Sequence, residues 1–207
     1  MIALIDYDAG NMKSVEKALQ LIGEEVIVTR NPGEILAADK VILPGVGCFG
    51  DAMENLHHFG LVPVIQQVVA QQTPFLGICL GLQLLFERSE ESPGVEGLGL
   101  LKGEILRIPA AEGLKIPHMG WNDLTFPNKG RLFVGVPEHS YVYFVHSYYL
   151  KAEEESIVTA ATEYGTYIHA SVEKGNLFAC QFHPEKSSAV GLQILKNFAG
   201  IPGKGGR

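Results

Sequence analysis

The chain of 207 residues carries 23 acidic against 16 basic side chains, a formal charge of −7, and is 46% hydrophobic and 19% charged. That balance fits one compact domain, or two small ones, with a sizeable core, and argues against non-specific binding to nucleic acid or to an anionic membrane. No apolar run approaches the roughly 18–20 residues of a membrane span, and the three cysteines lack the paired spacing of a disulfide framework, which points to a reducing, cytoplasmic setting.

In chain order, the opening MIALIDYDAGN is too short in its apolar part and too acidic for a signal peptide, and its IALI (2–5) reads as a buried first strand. Gly10 and Asn11 open a helix in which Val15, Ala18, Leu19 and Ile22 share one face until Gly23 ends it. EVIVT (25–29) and KVILP (40–44) predict the second and third strands. A helix is expected through DAMENLHHF, and another over about 61–72. PFLGI predicts the next strand and LGLQLLFERS a helix directly after Cys79. From about 103 to 182 the texture becomes β-rich, in EILRI, WNDLTF, YVYFVHSYYL, SIVTAAT, TYIHASV and NLFACQF, with turns such as EKGN that suggest antiparallel pairing. A last helix is expected over about 187–198, and GIPGKGGR reads as a frayed tail. The order predicts an α/β fold in three layers: a mostly parallel central sheet with helices on both faces and an antiparallel β extension in the second half. One domain is expected over 1–200, with 201–207 as the tail.

Cys79 sits at the strand-to-helix join, with Gly77 and Gly81 on either side. Such a corner lifts a side chain out of the packed layer and sets sulfur near helix amides and the positive end of the helix dipole, which favours thiolate. It also leaves the Leu80 N–H free to face a developing oxyanion. The pattern is a nucleophile elbow with cysteine in place of serine. A buried cysteine acting as a small hydrophobe fits the same letters, so the motif alone leaves both readings open. Cys48 has Val46 where the elbow needs its first glycine, and Cys180 reads as core.

A cysteine nucleophile needs a histidine within reach and a third group to hold it. FACQFHPEKSS offers His183 at a strand end and Glu185 two residues on, where extended backbone would point both the same way. The bland alternatives are a solvated loop histidine and a carboxylate capping the last helix. His57 and His58 read as helix surface and His169 as an exposed strand position. A metal site from His183, Glu185 and His146 has no ligand-spacing motif behind it, and nothing calls for a cofactor. PGVGCFGD contains a literal G-x-G-x-x-G in Gly45, Gly47 and Gly50, but it follows the third strand, and no acidic residue ends a strand about 20 residues on, as a dinucleotide site needs. A loop of exposed backbone amides beside Cys79, or a plain glycine-rich turn, suits it better.

At this point PGVG, GICLGLQLLFE and FHPEKS, in this order, resemble the class I, triad-type glutamine amidotransferases. IDYDAGN, PHMGWN, YFVHSYY and FHPEKSS make the finer match, to the branch of that family formed by the glutaminase subunits of imidazole glycerol phosphate synthase, over nearly the whole chain. The resemblance implies Cys79 as nucleophile, His183 as general base and acid, and Glu185 as its orienter. It implies oxyanion donors in the Val46 and Leu80 amides, and glutamine-holding positions at Gly47, Gln83, His146, Ser147 and Tyr148. It further implies a (β/α)₈-barrel cyclase subunit as heterodimer partner, which Asn11, Trp121, Tyr143 and Lys186 are expected to face. Trp121 as ordinary core stays open. The rivals are another class I amidotransferase subunit, a stand-alone γ-glutamyl or cysteine hydrolase, and a non-catalytic scaffold.

Overall fold

The computed structural model describes residues 1–8 and 10–203. Its first half alternates strand and helix as the sequence expects. β1 (Ile2–Ile5) is followed by α1 (Met12–Leu21), which buries Val15, Ala18 and Leu19. β2 (Val26–Thr29) leads to α2 (Pro32–Ala37), a helix the hydrophobic pattern did not predict. Its signal is in the start rather than the period: the Asn31 side chain accepts from the amides of Gly33 (2.8 Å) and Glu34 (3.4 Å), with Pro32 at the first helical position. Then come β3 (Lys40–Leu43), α3 (Phe49–His58), α4 (Leu61–Ala70), β4 (Phe75–Ile78) and α5 (Leu80–Leu84).

α5 has only five residues where the sequence predicted a helix to about Ser89. A neighbouring loop ends it by taking its carbonyls: Leu98 N–H donates to Leu84 O at 2.8 Å, Leu100 N–H to Leu85 O at 2.9 Å, and Gly97 N–H to Glu87 O at 2.9 Å.

The second half supplies β5 (Arg88–Ser89), β6 (Gly103–Arg107), β7 (His118–Asp123), β8 (Tyr141–His146), β9 (Tyr148–Ala152), β10 (Val158–Glu163), β11 (Tyr167–Lys174), β12 (Leu177–Cys180) and α6 (Ser188–Ala199). The expected stretch YVYFVHSYYL is two strands, parted at Ser147, because β8 pairs with β7 while β9 pairs with β6. Ile201, expected in a frayed tail, is buried in the core; residues 204–207 lie outside the described residues.

Seven strands form the central sheet in the order β10-β11-β12-β4-β3-β1-β2. From β12 to β2 all neighbours run parallel, and β10, β11 and β12 pair antiparallel. β1, β3, β4 and β12 are buried along their whole length, as strands covered on both faces must be. Alternate residues feed two cores. Ala3, Ile5, Val41, Leu43 and Phe75 pack with α3 and α4, whereas Ile2, Leu4, Ile42, Leu76 and Ile78 pack with α1 and α6. The three-layer α/β expectation holds, with β5-β6-β9 and the β7-β8 ribbon as the added β structure.

The corner after β4 depends on two missing side chains. A Cβ on Gly81 would lie 1.9 Å from the Leu43 carbonyl oxygen, and one on Gly77 would lie 2.6 Å from that of Gly81. Neither obstacle is a flexible side chain, so α5 would have to move off β3. Gly81→Ala is therefore expected to destabilise the fold by about 3 kcal/mol or more. Urea unfolding checks this; a midpoint equal to the parent's would show that the corner has slack.

Candidate active site

The parallel register places the C-terminal ends of β12, β4 and β3 side by side, at the edge where open α/β sheets form crevices. β4 delivers Cys79, whose amide donates to Cys180 O at 2.8 Å. Its backbone, at φ 55° and ψ −106°, lies in a region that non-glycine residues rarely enter. The turn that follows leaves Cys79 6% exposed. β3 delivers Pro44–Gly47, anchored from below where the buried Tyr7 hydroxyl donates to Pro44 O at 2.8 Å. The Leu80 amide departs from the sequence expectation. It is not free but donates to Gly45 O at 3.4 Å. With α5 only five residues long, the helix dipole at Cys79 is also smaller than expected.

β12 delivers His183, whose amide donates to Tyr143 O at 2.9 Å. The chain then folds into a one-turn helix, Pro184–Lys186, rather than continuing extended. The turn still brings Glu185 back to the imidazole, with His183 Nδ1 2.7 Å from Glu185 Oε1. Asn11 Nδ2 donates to the same oxygen at 2.5 Å. The His183 and Glu185 side chains are 1% and 0% exposed. This pairing fixes a proton on Nδ1, which donates to the carboxylate, and among the described residues His183 Nε2 has no hydrogen-bond partner. Burial works against the imidazolium, but the Cys79 sulfur and the Glu185 carboxylate outweigh it and raise the His183 pKa to about 9. A solvated loop histidine and a helix-capping carboxylate are both excluded by this burial.

In front of Cys79 lies a cavity of about 350 Å³, within the range of small-molecule sites. Val46, Gly47, Leu80, Gln83, His146, Ser147 and Tyr148 all line it, so the structure brings every expected pocket residue to one place. It adds Glu91, Pro117 and Val145, which sequence reasoning missed. Glu91 comes from the loop that follows β5, and its Oε2 accepts from the first amide of α3, that of Phe49, at 2.8 Å. No local pattern near Glu91 hints at so distant a contact.

The wall at His146 is built on a directed chain. His146 Nδ1 lies 2.8 Å from Tyr148 O, which can only accept, so the proton sits on Nδ1 and Nε2 is an acceptor. His118 Nδ1 then donates to His146 Nε2 at 3.0 Å, leaving His118 Nε2 to accept from Asn122 at 3.4 Å. Burial lowers the pKa of His118 to about 4 and of His146 to about 3, so both are neutral. His169, expected on an exposed strand, is buried instead and its Nδ1 accepts from the Ala152 amide at 3.1 Å.

Asn11, Trp121, Tyr143 and Lys186 gather beside the buried pair. Trp121 and Tyr143 face one another across the ribbon, edge to face at 6.1 Å, and Lys186 Nζ sits 6.0 Å from the Tyr143 ring. Trp121 is 50% exposed, which removes the core reading, and Met119 and Tyr141 are exposed on the same ribbon.

The family described as glutamine amidotransferase class-I matches residues 3–200. Among curated relatives, the imidazole glycerol phosphate synthase subunit HisH of Moorella thermoacetica is 58% identical over 95% of this chain and 93% of its own length. The subunit of the same name from Methanocaldococcus jannaschii is 50% identical over 96% and 98%. Solved structures share the fold at lower identity. A glutamine amidotransferase superposes with a TM-score of 0.74 at 19% identity, covering 96% of this chain and all of that one. PurLQS from Thermotoga maritima gives 0.71 at 21%, covering 96% of each.

The histidines give stability a two-sided pH dependence. His183 is raised from 6.5 to about 9, so its contribution is complete below pH 6.5 and is lost as pH rises through about 9. His118 and His146 are depressed, so theirs is present above pH 6.5 and is lost as pH falls toward about 4 and about 3. Chemical denaturation across pH 5–10 is expected to show both limbs, and Glu185→Gln is expected to flatten the alkaline one.

Proposed function

The chain belongs to the class-I glutamine amidotransferases, and we propose that it is the glutaminase subunit of an imidazole glycerol phosphate synthase, acting in histidine biosynthesis. The reading rests on one observation above all: a strained, buried cysteine at a β4 strand end beside the His183–Glu185 pair, facing a cavity of amino-acid size. The near-complete match to HisH subunits favours it over other class I subunits, stand-alone hydrolases and scaffolds.

In this mechanism Cys79 passes its proton to His183 Nε2 and the thiolate attacks the side-chain amide carbon of glutamine. The tetrahedral oxyanion collapses as His183 protonates the departing nitrogen, which leaves as ammonia. A γ-glutamyl thioester remains on Cys79. Water then attacks it with His183 as base, and glutamate leaves. Glu185 keeps the imidazole in the required tautomer and stabilises its charged form. The Val46 and Leu80 amides serve the oxyanion, each worth about 2.7–4 kcal/mol of barrier. The Leu80 amide is engaged by Gly45 O in the isolated chain, so binding the oxyanion means exchanging that long bond for a shorter, charge-assisted one. Gly47, Gln83, His146, Ser147 and Tyr148 hold glutamine.

Ammonia released into cytoplasmic water would be protonated and lost, so a partner must take it at once. The proposed partner is a (β/α)₈-barrel cyclase subunit, which adds ammonia to a phosphoribulosyl nucleotide intermediate to give imidazole glycerol phosphate and aminoimidazole carboxamide ribotide. Its docking face is the one carrying Asn11, Trp121, Tyr143 and Lys186, where exposed aromatic anchors lie next to a residue that touches Glu185.

Cys79→Ser is expected to lower glutamine hydrolysis on the order of 10⁶-fold while ammonia-supported turnover by the two-subunit complex survives; glutamine-dependent turnover that persisted would end the nucleophile assignment. Trp121→Ala is expected to weaken the complex by about 2 kcal/mol or more, read by calorimetric titration against the cyclase subunit. Unchanged affinity in a folded variant would move the interface elsewhere.

A further inference from the structure

We propose that the Gln181 carboxamide belongs to the nucleophile's machinery: its Nε2–H donates to the Cys79 sulfur and holds it as thiolate, and Gln83 positions Gln181 to do so. The proposal rests on Cys79 being the nucleophile. Gln181 is fully buried at the end of β12, between Cys180 and Phe182, whose side chains enter the core shared with α6. A buried carboxamide in so apolar a run needs partners for both its ends. Its Nε2 lies 3.6 Å from Cys79 Sγ and its Oε1 lies 3.1 Å from Gln83 Nε2.

The orientation is forced rather than chosen. Gln83 Nε2 also donates to Tyr148 O at 3.1 Å, and a backbone carbonyl can only accept. Gln83 must therefore present its amino group to both neighbours. Gln181 must answer with its oxygen, and only its amino group is left for the sulfur. Sγ also lies 4.0 Å from Val145 O, which suits a thiol proton but repels a thiolate. The titratable groups coupled to the sulfur are His183, Tyr7 and Cys180; burial keeps the last two protonated. With the α5 dipole cut to five residues, the N–H of Gln181 and the charge on His183 are what oppose the desolvation of the thiolate.

The test is the pH dependence of Cys79 alkylation by iodoacetamide in the full chain, followed by mass spectrometry of the Cys79 peptide. In Gln181→Leu the midpoint is expected to rise by roughly one unit, about a tenfold loss of thiolate at a fixed pH. Gln83→Leu, which keeps Gln181 but frees its orientation, is expected to raise it by less. An unchanged midpoint in folded Gln181→Leu overturns the proposal and leaves Cys79 as nucleophile. A parent midpoint no lower than the ordinary cysteine value of about 8.5 overturns the nucleophile reading instead. If Gln181→Leu does not fold, Gln181→Glu, of the same size, must raise the midpoint further by placing a carboxylate against sulfur. In the unsubstituted chain the side-chain amide resonances of Gln181 must move with the alkylation midpoint; resonances indifferent to it overturn the proposal.

Discussion

The close approach of the Gly81 backbone to the Leu43 carbonyl is the constraint on which the site depends. It fixes how near α5 can come to β3, and so where the chain must turn after β4. The turn in turn gives Cys79 its left-handed backbone and points sulfur toward the cavity. Because β12 and β3 flank β4 in register, His183, Gln181 and the Pro44–Gly47 loop reach the sulfur's surroundings from the ends of neighbouring strands, and Val145 of β8 closes the remaining side. The geometry of the candidate site is thus largely a property of the sheet.

Charge is managed in the same economical way. Glu185 and His183 are both withdrawn from water, an arrangement that costs folding energy unless each satisfies the other. The two meet at 2.7 Å, and Asn11, from the residue just ahead of α1, adds a second donor to the same carboxylate oxygen. Asn11 also belongs to the face proposed for the partner. One residue therefore touches the surface where a second protein would sit and the group that orients the histidine.

Much of this was legible in the letters, for physical reasons. The apolar runs of β1, β3 and β4 and the helical stripe of α1 are local signals, and they placed those elements. Cys79 and His183 were readable because each lies at the end of a strand beside a strong turn signal. α5 was misjudged because its end is decided by amides of residues 97–101, which take its carbonyls from a distance. α2 was overlooked because it is six residues long and its cap, not its period, announces it. Gln181 and Glu91 could not be singled out at all. Gln181 reads as one polar letter in a core strand, and Glu91 as one acid in an acidic loop; only the fold reveals what each faces. His169 was misplaced because a strand that looks one-sided in sequence is covered on both sides here.

The paired histidines on the ribbon carry a last consequence. Most histidines change charge across the range in which cells live. His118 and His146 have left that range, their protons fixed in place by a carbonyl at one end and an amide at the other. Two titratable residues therefore make an electrically silent wall. That side of the cavity therefore presents shape and neutral polar groups, and it is the same wall whether the surroundings are slightly acid or slightly alkaline.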